Sequence, residues 1–83
     1  MELSFSPSAF RQLSRLEKSV QNRVAAKLSF FCSPREPLQF AEKLIDSRYG
    51  EWRFRIGDDR VIFDIRDDKI VVLAIGHRKE IYR

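Results

Sequence analysis

The C-terminal part of the sequence, residues 50–83, carries the pattern that most restricts the fold. Large apolar residues alternate with polar or charged ones along two successive segments, 52–56 and 60–65, and this period of two is typical of strands buried on one face. A third segment, 70–75, is apolar throughout and rich in β-branched residues, which predicts a central strand covered on both faces or nearly so. The residues that indicate turns between the strands are Gly57, Asp58, Asp59, Asp67 and Asp68. We therefore expect a three-stranded antiparallel meander.

The same alternation predicts that four arginines lie on one side of this meander. When the apolar residues of the first two strands share a face, Arg53, Arg55 and Arg60 fall on the other, and the period continued along the third strand adds Arg78. Neighbouring strands lie about 4.8 Å apart, which lets guanidinium groups converge on one bound anion. For any single arginine there is a simpler explanation, because exposed strand positions often carry arginine for solubility and edge protection.

The N-terminal part of the chain predicts a strand and two amphipathic helices. Residues 1–5 are a short strand candidate, and Ser6 and Pro7 begin a helix as N-cap and first helical residue. Ser19 is the expected N-cap of a longer second helix, which Pro34 ends. The apolar stripes consist of Phe10, Leu13 and Leu16 in the first helix and of Val20, Val24, Leu28 and Phe31 in the second. The two stripes need a surface to cover, and the apolar side of the sheet provides it.

The segment between the helices and the meander, residues 33–49, is predicted as a packed loop. A short helical turn is expected over residues 40–44. Lys43 and Arg48 extend the basic face if they point towards the arginines, and an ordinary solvated position is the alternative for both. The expected apolar anchors of the loop are Leu38, Phe40 and Leu44.

The order of elements predicts an α+β domain: an N-terminal strand, then a two-helix hairpin packed on one face of a small antiparallel sheet that ends in the meander. Eighty-three residues suffice for one modest core, so residues 1–83 are expected to form a single domain. No apolar run reaches the length of a membrane span, and the N-terminus lacks a signal-peptide core, so we expect a cytoplasmic protein without a membrane partner. One cysteine and one histidine exclude an internal disulfide and a Cys/His zinc cluster. The net charge of +4 favours an anionic partner.

Two strings in the sequence carry a resemblance to a known family. They are residues 52–63, WRFRIGDDRVIF, and residues 76–83, GHRKEIYR. Together with the order of elements, they resemble the RelE/ParE superfamily of bacterial and archaeal toxin–antitoxin pairs over essentially the whole chain. The resemblance implies a RelE-type toxin, an mRNA interferase that uses no metal or cofactor. Such an endoribonuclease contacts 16S rRNA, cuts mRNA in the ribosomal A site by attack of a ribose 2′-hydroxyl on the adjacent phosphate, and so inhibits translation.

The resemblance also implies roles for particular residues. Arg60 and Arg78 match family arginines and are expected to neutralise the phosphate, because a guanidinium contacts two oxygens and keeps its proton. Tyr82 matches a family tyrosine that stacks on a base and orients the nucleophile. The alternative for Tyr82 is that it packs the chain end against the sheet. Some relatives have lysines at positions 53 and 55, one of them linked to proton transfer, so the arginines here offer no lysine base. The expected contacts with RNA or the ribosome are Arg53, Arg55, Lys79, Arg83, Arg48 and Lys43.

His77 is the acid–base candidate of the chain, because histidine commonly exchanges protons near neutral pH. Strand parity places it with the core and opposite Arg78, so a structural histidine is expected unless a bulge near Gly76 shifts the parity. The residues from which this parity is counted are Val71, Leu73 and Ile75.

Two other functions are compatible with this sequence. A ParE-type toxin shares the fold but inhibits DNA gyrase and cuts no RNA, so it needs neither phosphate-directed arginines nor Tyr82. A non-catalytic nucleic-acid-binding module holds a backbone on its basic face, with an affinity that falls steeply in salt. The combination of Arg60, Arg78 and Tyr82 favours the nuclease. A RelE-like toxin also implies a cognate antitoxin protein whose acidic segment covers the basic face.

Overall fold

The computed structural model describes residues 1–33, 37–46 and 48–82. In chain order these residues form β1 (Glu2–Phe5), α1 (Pro7–Arg15), α2 (Lys18–Cys32), a 3-10 turn (Pro37–Phe40), β2 (Ala41–Lys43), β3 (Trp52–Ile56), β4 (Asp59–Arg66) and β5 (Lys69–His77). The strands form one sheet in the order β1-β5-β4-β3-β2. The predicted α+β fold is confirmed, and the sheet is mixed because β1 lies parallel to β5 while the other neighbours are antiparallel.

The hydrophobic core lies between the helices and one face of the sheet. Phe54 and Phe63 stack there with ring centroids 4.3 Å apart, and Val24 and Leu28 of α2 are buried against this side of the sheet. In α1 the prediction that Phe10 belongs to the apolar stripe is wrong, because its side chain is 60% exposed. The face that packs consists of Ala9, Leu13 and Leu16, whose spacing of four and three follows the helical period. Among the described residues, neither helix is long and apolar enough to cross a membrane.

Helix α1 begins as the sequence predicts, with Ser6 as the N-cap and Pro7 at the first helical position. The Ser6 Oγ accepts a hydrogen bond from the backbone N–H of Ala9 at 3.0 Å, and the hydroxyl donates to the carbonyl of Leu73 at 3.3 Å. One side chain therefore caps the helix and joins it to the sheet.

Replacing Ser6 by alanine is expected to lower the free energy of unfolding by about 1–2 kcal/mol, because both hydrogen bonds disappear. Ser8→Ala is the matched control, since Ser8 is the second residue of the same helix and is exposed to solvent. Urea unfolding followed by the fluorescence of Trp52, the single tryptophan, measures both variants. Equal stability of the two variants contradicts a capping role for Ser6.

Helix α2 begins earlier than predicted. Glu17 occupies the N-cap position without a side-chain capping bond, so the prediction of Ser19 as the cap is wrong. The reason is that α1 already ends at Arg15 and the chain reverses within two residues. α2 ends at Cys32, and Pro34, the predicted terminator, lies outside the described residues.

The segment predicted as a loop contains an edge strand. Residues 41–43 pair antiparallel with β3, and the predicted helical turn over residues 40–44 is wrong. The 3-10 turn directly before β2 supplies the only helical backbone in the described part of this segment. Phe40 at the end of that turn stacks on Phe31 of α2, with ring centroids 5.1 Å apart. A three-residue strand is too short to show a period of two, so periodicity does not predict it.

The two hairpins of the meander close with two-residue turns. Gly57 and Asp58 join β3 to β4, and Gly57 has φ of 61°. Asp67 and Asp68 join β4 to β5 with φ of 52° and 60°. Positive φ at these positions is typical of the primed turns whose twist matches that of paired strands. Asp59, predicted as a turn residue, is instead the first residue of β4 and is buried.

β5 is an interior strand between β1 and β4, in agreement with the prediction of a strand covered on both sides, but the side that its residues face changes in the middle. Val72 faces the helices and is buried, whereas Val71 and Leu73, predicted as core residues, face the other way. The cause is a bulge, because the pairing with β4 skips Leu73. After the bulge Ile75 faces the helices again, which is the side that the sequence predicted for it.

The loop before β3 covers part of the sheet face opposite the helices. Gly50 lies against the side chains of Ile62 and Leu73, and the Glu51 N–H donates a hydrogen bond to the Asp64 Oδ1 at 2.8 Å. Ile62 is consequently only 1% exposed, although the alternation placed it with the polar residues. The rest of this face carries charged side chains, including Arg53, Arg55 and Arg60.

Candidate functional site

The sheet face opposite the helices carries the four arginines that the alternation placed together. The register puts Arg53 and Arg55 of β3 and Arg60 of β4 on this face, with Arg55 directly opposite Arg60. Arg60 pairs on its other side with Gly76 of β5, so Arg78, two residues further, belongs to the same face. We call these four residues the arginine face.

Arg60 is the buried member of the arginine face, with 5% of its surface exposed. Its Nη1 donates hydrogen bonds to the carbonyls of Gly57 at 2.8 Å and Asp59 at 2.9 Å. The chain end folds back beside it, because Ile81 lies over Gly76, the residue paired with Arg60. Arg60 therefore fastens the β3–β4 turn and adds positive charge from below the surface.

Tyr82 reaches the arginine face and is held there by two hydrogen bonds. Its hydroxyl accepts one from the Arg53 Nη1 at 2.9 Å, and its backbone carbonyl accepts one from the Tyr49 hydroxyl at 3.0 Å. The two tyrosine rings meet edge to face, with centroids 5.3 Å apart and planes at 74°. The bond to Tyr82 and the nearby Glu42 carboxylate raise the pKa of Arg53 against the opposing effect of burial, so its guanidinium stays charged.

Glu42 of β2 adds a carboxylate to this face. It pairs with Arg53, and its two oxygens lie 3.4 Å from the Arg53 Nη2 and 3.6 Å from the Arg55 Nε. Sequence reasoning missed it because the segment was predicted as a helical turn. A strand predicted over residues 41–43 and paired with β3 would have identified it, because Glu42 and Arg53 are directly paired and such residues lie on the same face of a sheet.

Arg78 forms the open end of the arginine face. Its backbone N–H donates to the carbonyl of Asp58 at 2.8 Å, which continues the β4–β5 ladder past the last strand residue. Its Nε lies 3.6 Å from the Asp58 Oδ1, and the side chain is 53% exposed. Exposed pairs of this kind hold a guanidinium weakly, so Arg78 and the similarly exposed Arg55 present charge that an anion can reach.

His77 lies on the helix side of the sheet, as the parity predicts. It pairs with Asp59, which forms an ion pair with Arg23 of α2 at 3.1 Å. The His77 Nδ1 accepts a hydrogen bond from the backbone N–H of Lys79 at 3.1 Å. The register does not slip at Gly76, so the structure keeps His77 away from the arginine face.

Of the remaining predicted contacts, the structure places Lys43 away from the arginine face. Lys43 lies on the helix side, with its Nζ 5.8 Å from the ring centroid of the tryptophan paired with it. The Arg48 side chain is 79% exposed, and its Nη2 donates a hydrogen bond to the Asp46 Oδ2 at 2.6 Å. Hydrogen bonds from Arg48 lower the pKa of Asp46. Lys79 is exposed in the C-terminal turn. Arg83 lies outside the described residues.

The sheet face opposite the helices thus carries three kinds of chemistry. Arg55 and Arg78 offer accessible positive charge, Glu42 offers a carboxylate, and Tyr82 offers an aromatic ring with a hydroxyl. No group of three His, Cys, Asp or Glu side chains that could hold a metal ion occurs among residues 1–33, 37–46 and 48–82. Such a patch can bind a phosphate and stack a base.

Comparison with known proteins gives one family and several similar structures. The family described as ParE toxin of type II toxin–antitoxin system, parDE, matches residues 3–82. The RelBE2 toxin–antitoxin complex from Mycobacterium tuberculosis contains a chain 26% identical to this one, with a TM-score of 0.75, covering 93% of this chain and 96% of that chain. A search of the curated proteins gives no match.

Two further structures share the fold at lower identity. The archaeal RelE–RelB complex from Pyrococcus horikoshii OT3 is similar at 23% identity and a TM-score of 0.72, covering 95% of this chain and 96% of that chain. The intact RelBE toxin–antitoxin complex of E. coli is similar at 21% identity and a TM-score of 0.57, covering 92% of this chain and 94% of that chain.

Proposed function

This chain belongs to the RelE/ParE superfamily of type II toxin–antitoxin toxins, and from this premise we propose that it is a ribosome-dependent endoribonuclease. Its substrate is mRNA in the ribosomal A site, and its action inhibits translation in the cytoplasm. The observation that carries the proposal is the hydrogen bond between Arg53 and Tyr82, which joins the aromatic ring to the arginines and to Glu42 on one face.

The arginines neutralise the phosphate in this mechanism. Arg55 and Arg78 are exposed and contact the phosphate oxygens, where a guanidinium forms two parallel hydrogen bonds. Arg60 stays fastened to the β3–β4 turn and stabilises the developing negative charge from below the surface. Tyr82 stacks on a base next to the cleaved bond. Stacking of a base on an aromatic ring contributes about 1–3 kcal/mol to binding.

Glu42 is the proton acceptor of the proposed reaction. It takes the proton of the 2′-hydroxyl, the 2′ oxygen forms a bond to phosphorus, and the bond from phosphorus to the 5′ oxygen breaks. The leaving 5′ oxygen takes a proton from water. Glu42 is assigned this step for its position, because its carboxylate lies beside Arg53 and Arg55 and 44% of its side chain is exposed, so that a 2′-hydroxyl can reach it.

A second candidate function is inhibition of DNA gyrase, which the matched description of ParE toxins favours. An inhibitor of this kind binds a protein and needs neither a proton acceptor nor a base-stacking tyrosine. The two functions differ in the nucleic acid that is damaged when the toxin acts.

Primer extension on mRNA from cells that express the protein tests the choice. A nuclease produces cuts at fixed codon positions in translated mRNA, and the cuts disappear when translation is blocked before the A site fills. Intact mRNA together with DNA damage supports gyrase inhibition instead. Intact mRNA and intact DNA, with salt-sensitive binding to RNA, supports a non-catalytic binding module.

We also propose a cognate antitoxin as partner, since several of the similar structures are toxin–antitoxin complexes. An acidic segment of the antitoxin covers the arginine face in this proposal. Association is expected to slow at least about tenfold between roughly 0.05 M and 0.5 M NaCl, because salt screens the attraction between charged surfaces. Stopped-flow fluorescence of Trp52 measures the rate. A rate that does not change with salt contradicts this mode of binding.

A further inference from the structure

The loop before β3 contributes a second tyrosine to the arginine face. Tyr49 is half-buried, and its hydroxyl donates a hydrogen bond to the backbone carbonyl of Tyr82 at 3.0 Å. We propose that Tyr49 is a positioning residue that sets the angle at which Tyr82 receives an RNA base. This inference rests on the proposed nuclease function and adds a residue to it.

Residues 79–82 need such a tie because, in the described part of the chain, the ladder ends at the Arg78 N–H and no strand pairing holds the residues after it. β5 ends at His77, and the residues that follow form a turn in which the Glu80 and Ile81 N–H groups donate to the His77 carbonyl. These bonds are local and do not fix the turn to the sheet. The hydrogen bond from Tyr49 joins the backbone of Tyr82 to a different part of the chain.

The two rings also restrict each other. Their edge-to-face contact, with planes at 74° and centroids 5.3 Å apart, fixes the orientation of the Tyr82 ring. The Tyr82 hydroxyl is held at the same time by Arg53 at 2.9 Å, so the ring is fixed at both ends. Loss of the Tyr49 bond therefore changes the position of the ring relative to the arginines and to Glu42.

Arg53 gives a further reason to expect coupling. Its Nε is buried without a hydrogen-bond partner in the described part of the chain, so this side chain depends on the bond to Tyr82 for its position. A shift of Tyr82 moves the Arg53 guanidinium, which also contacts Glu42. The effect of Tyr49 is thus expected on the rate of cleavage more than on binding.

The test is single-turnover cleavage of ribosome-bound mRNA by the full chain. Tyr49→Phe keeps the ring and removes the hydrogen bond, and it is expected to lower the cleavage rate about 5- to 10-fold with little change in apparent affinity. Its cuts are expected to spread over more codons than those of the wild type. Phe10→Leu, at an exposed aromatic residue on the helix layer, is the control and is expected to cut like the wild type.

A double variant separates positioning from a general structural effect. If Tyr49 acts through the ring of Tyr82, Tyr49→Phe combined with Tyr82→Ala cuts no more slowly than Tyr82→Ala alone. If the cleavage rate of the double variant falls by the product of the two single effects, the inference is overturned. A Tyr49→Phe variant that cuts like the wild type also overturns it. In both cases a wild type that cleaves mRNA leaves the proposed function intact. A wild type that leaves mRNA uncut overturns the proposed function and this inference together.

Discussion

Replacing Arg78 by alanine is expected to lower the rate of mRNA cleavage in the ribosomal A site by about 100- to 1000-fold, the usual effect of losing one group that stabilises transition-state charge. The Arg78 side chain is half exposed, and its ion-pair partner among the described residues is the exposed Asp58 at 3.6 Å, so its removal deletes accessible charge without unpairing a buried group. Primer extension on a defined mRNA with purified ribosomes measures the loss. Toxicity in cells that express the variant is expected to disappear in parallel.

Arg66→Ala is the matched control for this experiment. Arg66 lies on the same side of the sheet at the opposite end of the β4–β5 hairpin, and it contacts Asp64 at 3.1 Å with a comparable exposure. We expect it to cut within about twofold of the wild type, because surface ion pairs contribute little. Arg60→Ala is less informative, since this buried guanidinium also fastens a turn. Equal activity of Arg78→Ala and Arg66→Ala contradicts the assignment of Arg78 to the phosphate.

Replacing Gly50 by alanine is expected to lower the free energy of unfolding by about 2–5 kcal/mol, from backbone strain and overpacking together. Gly50 has φ of 145°, which L-residues rarely adopt, and a Cβ there lies 2.6 Å from the Ile62 Cγ2. The loop is expected to lift from the sheet and to carry Tyr49 away from Tyr82. Thermal and urea unfolding measure the stability, and the cleavage assay measures the effect on the site.

Gly57→Ala separates the two causes. Gly57 also has positive φ, 61°, but among the described residues the group nearest to a Cβ there is the Arg23 guanidinium at 3.9 Å. Only backbone strain applies at this position, so Gly57→Ala is expected to lower the free energy of unfolding by about 1–2 kcal/mol. Adding Ile62→Val to Gly50→Ala is expected to recover part of the loss by making room. If Gly50→Ala and Gly57→Ala cost the same, the contact with Ile62 has no role.

The local pattern of residues was enough to predict the helices, the meander and the set of arginines. The alternation between Trp52 and Ile65 predicts two strands with one buried face, and the observed pairing of Arg55 with Arg60 follows from it. Ser6 and Pro7 predict the start of α1 because capping depends on neighbours in the sequence. The resemblance then supplied the family, which the match over residues 3–82 establishes.

What the sequence could not predict depends on contacts between distant parts of the chain. The bulge at Leu73 lies in a pairing between two strands, and β2 exists because β3 offers it a partner. These features decide that Glu42 joins the arginines and that Lys43 does not.

The burial of the site residues was likewise a matter of tertiary structure. The alternation predicts the side of the sheet on which Arg60 lies. Only the folded chain shows that its guanidinium donates hydrogen bonds to two backbone carbonyls. Tyr49 lies 33 residues before Tyr82, and nothing in either local sequence indicates their hydrogen bond. Periodicity assigns a residue to a face because it reflects backbone geometry, whereas the covering of that face depends on chain segments that meet only after folding.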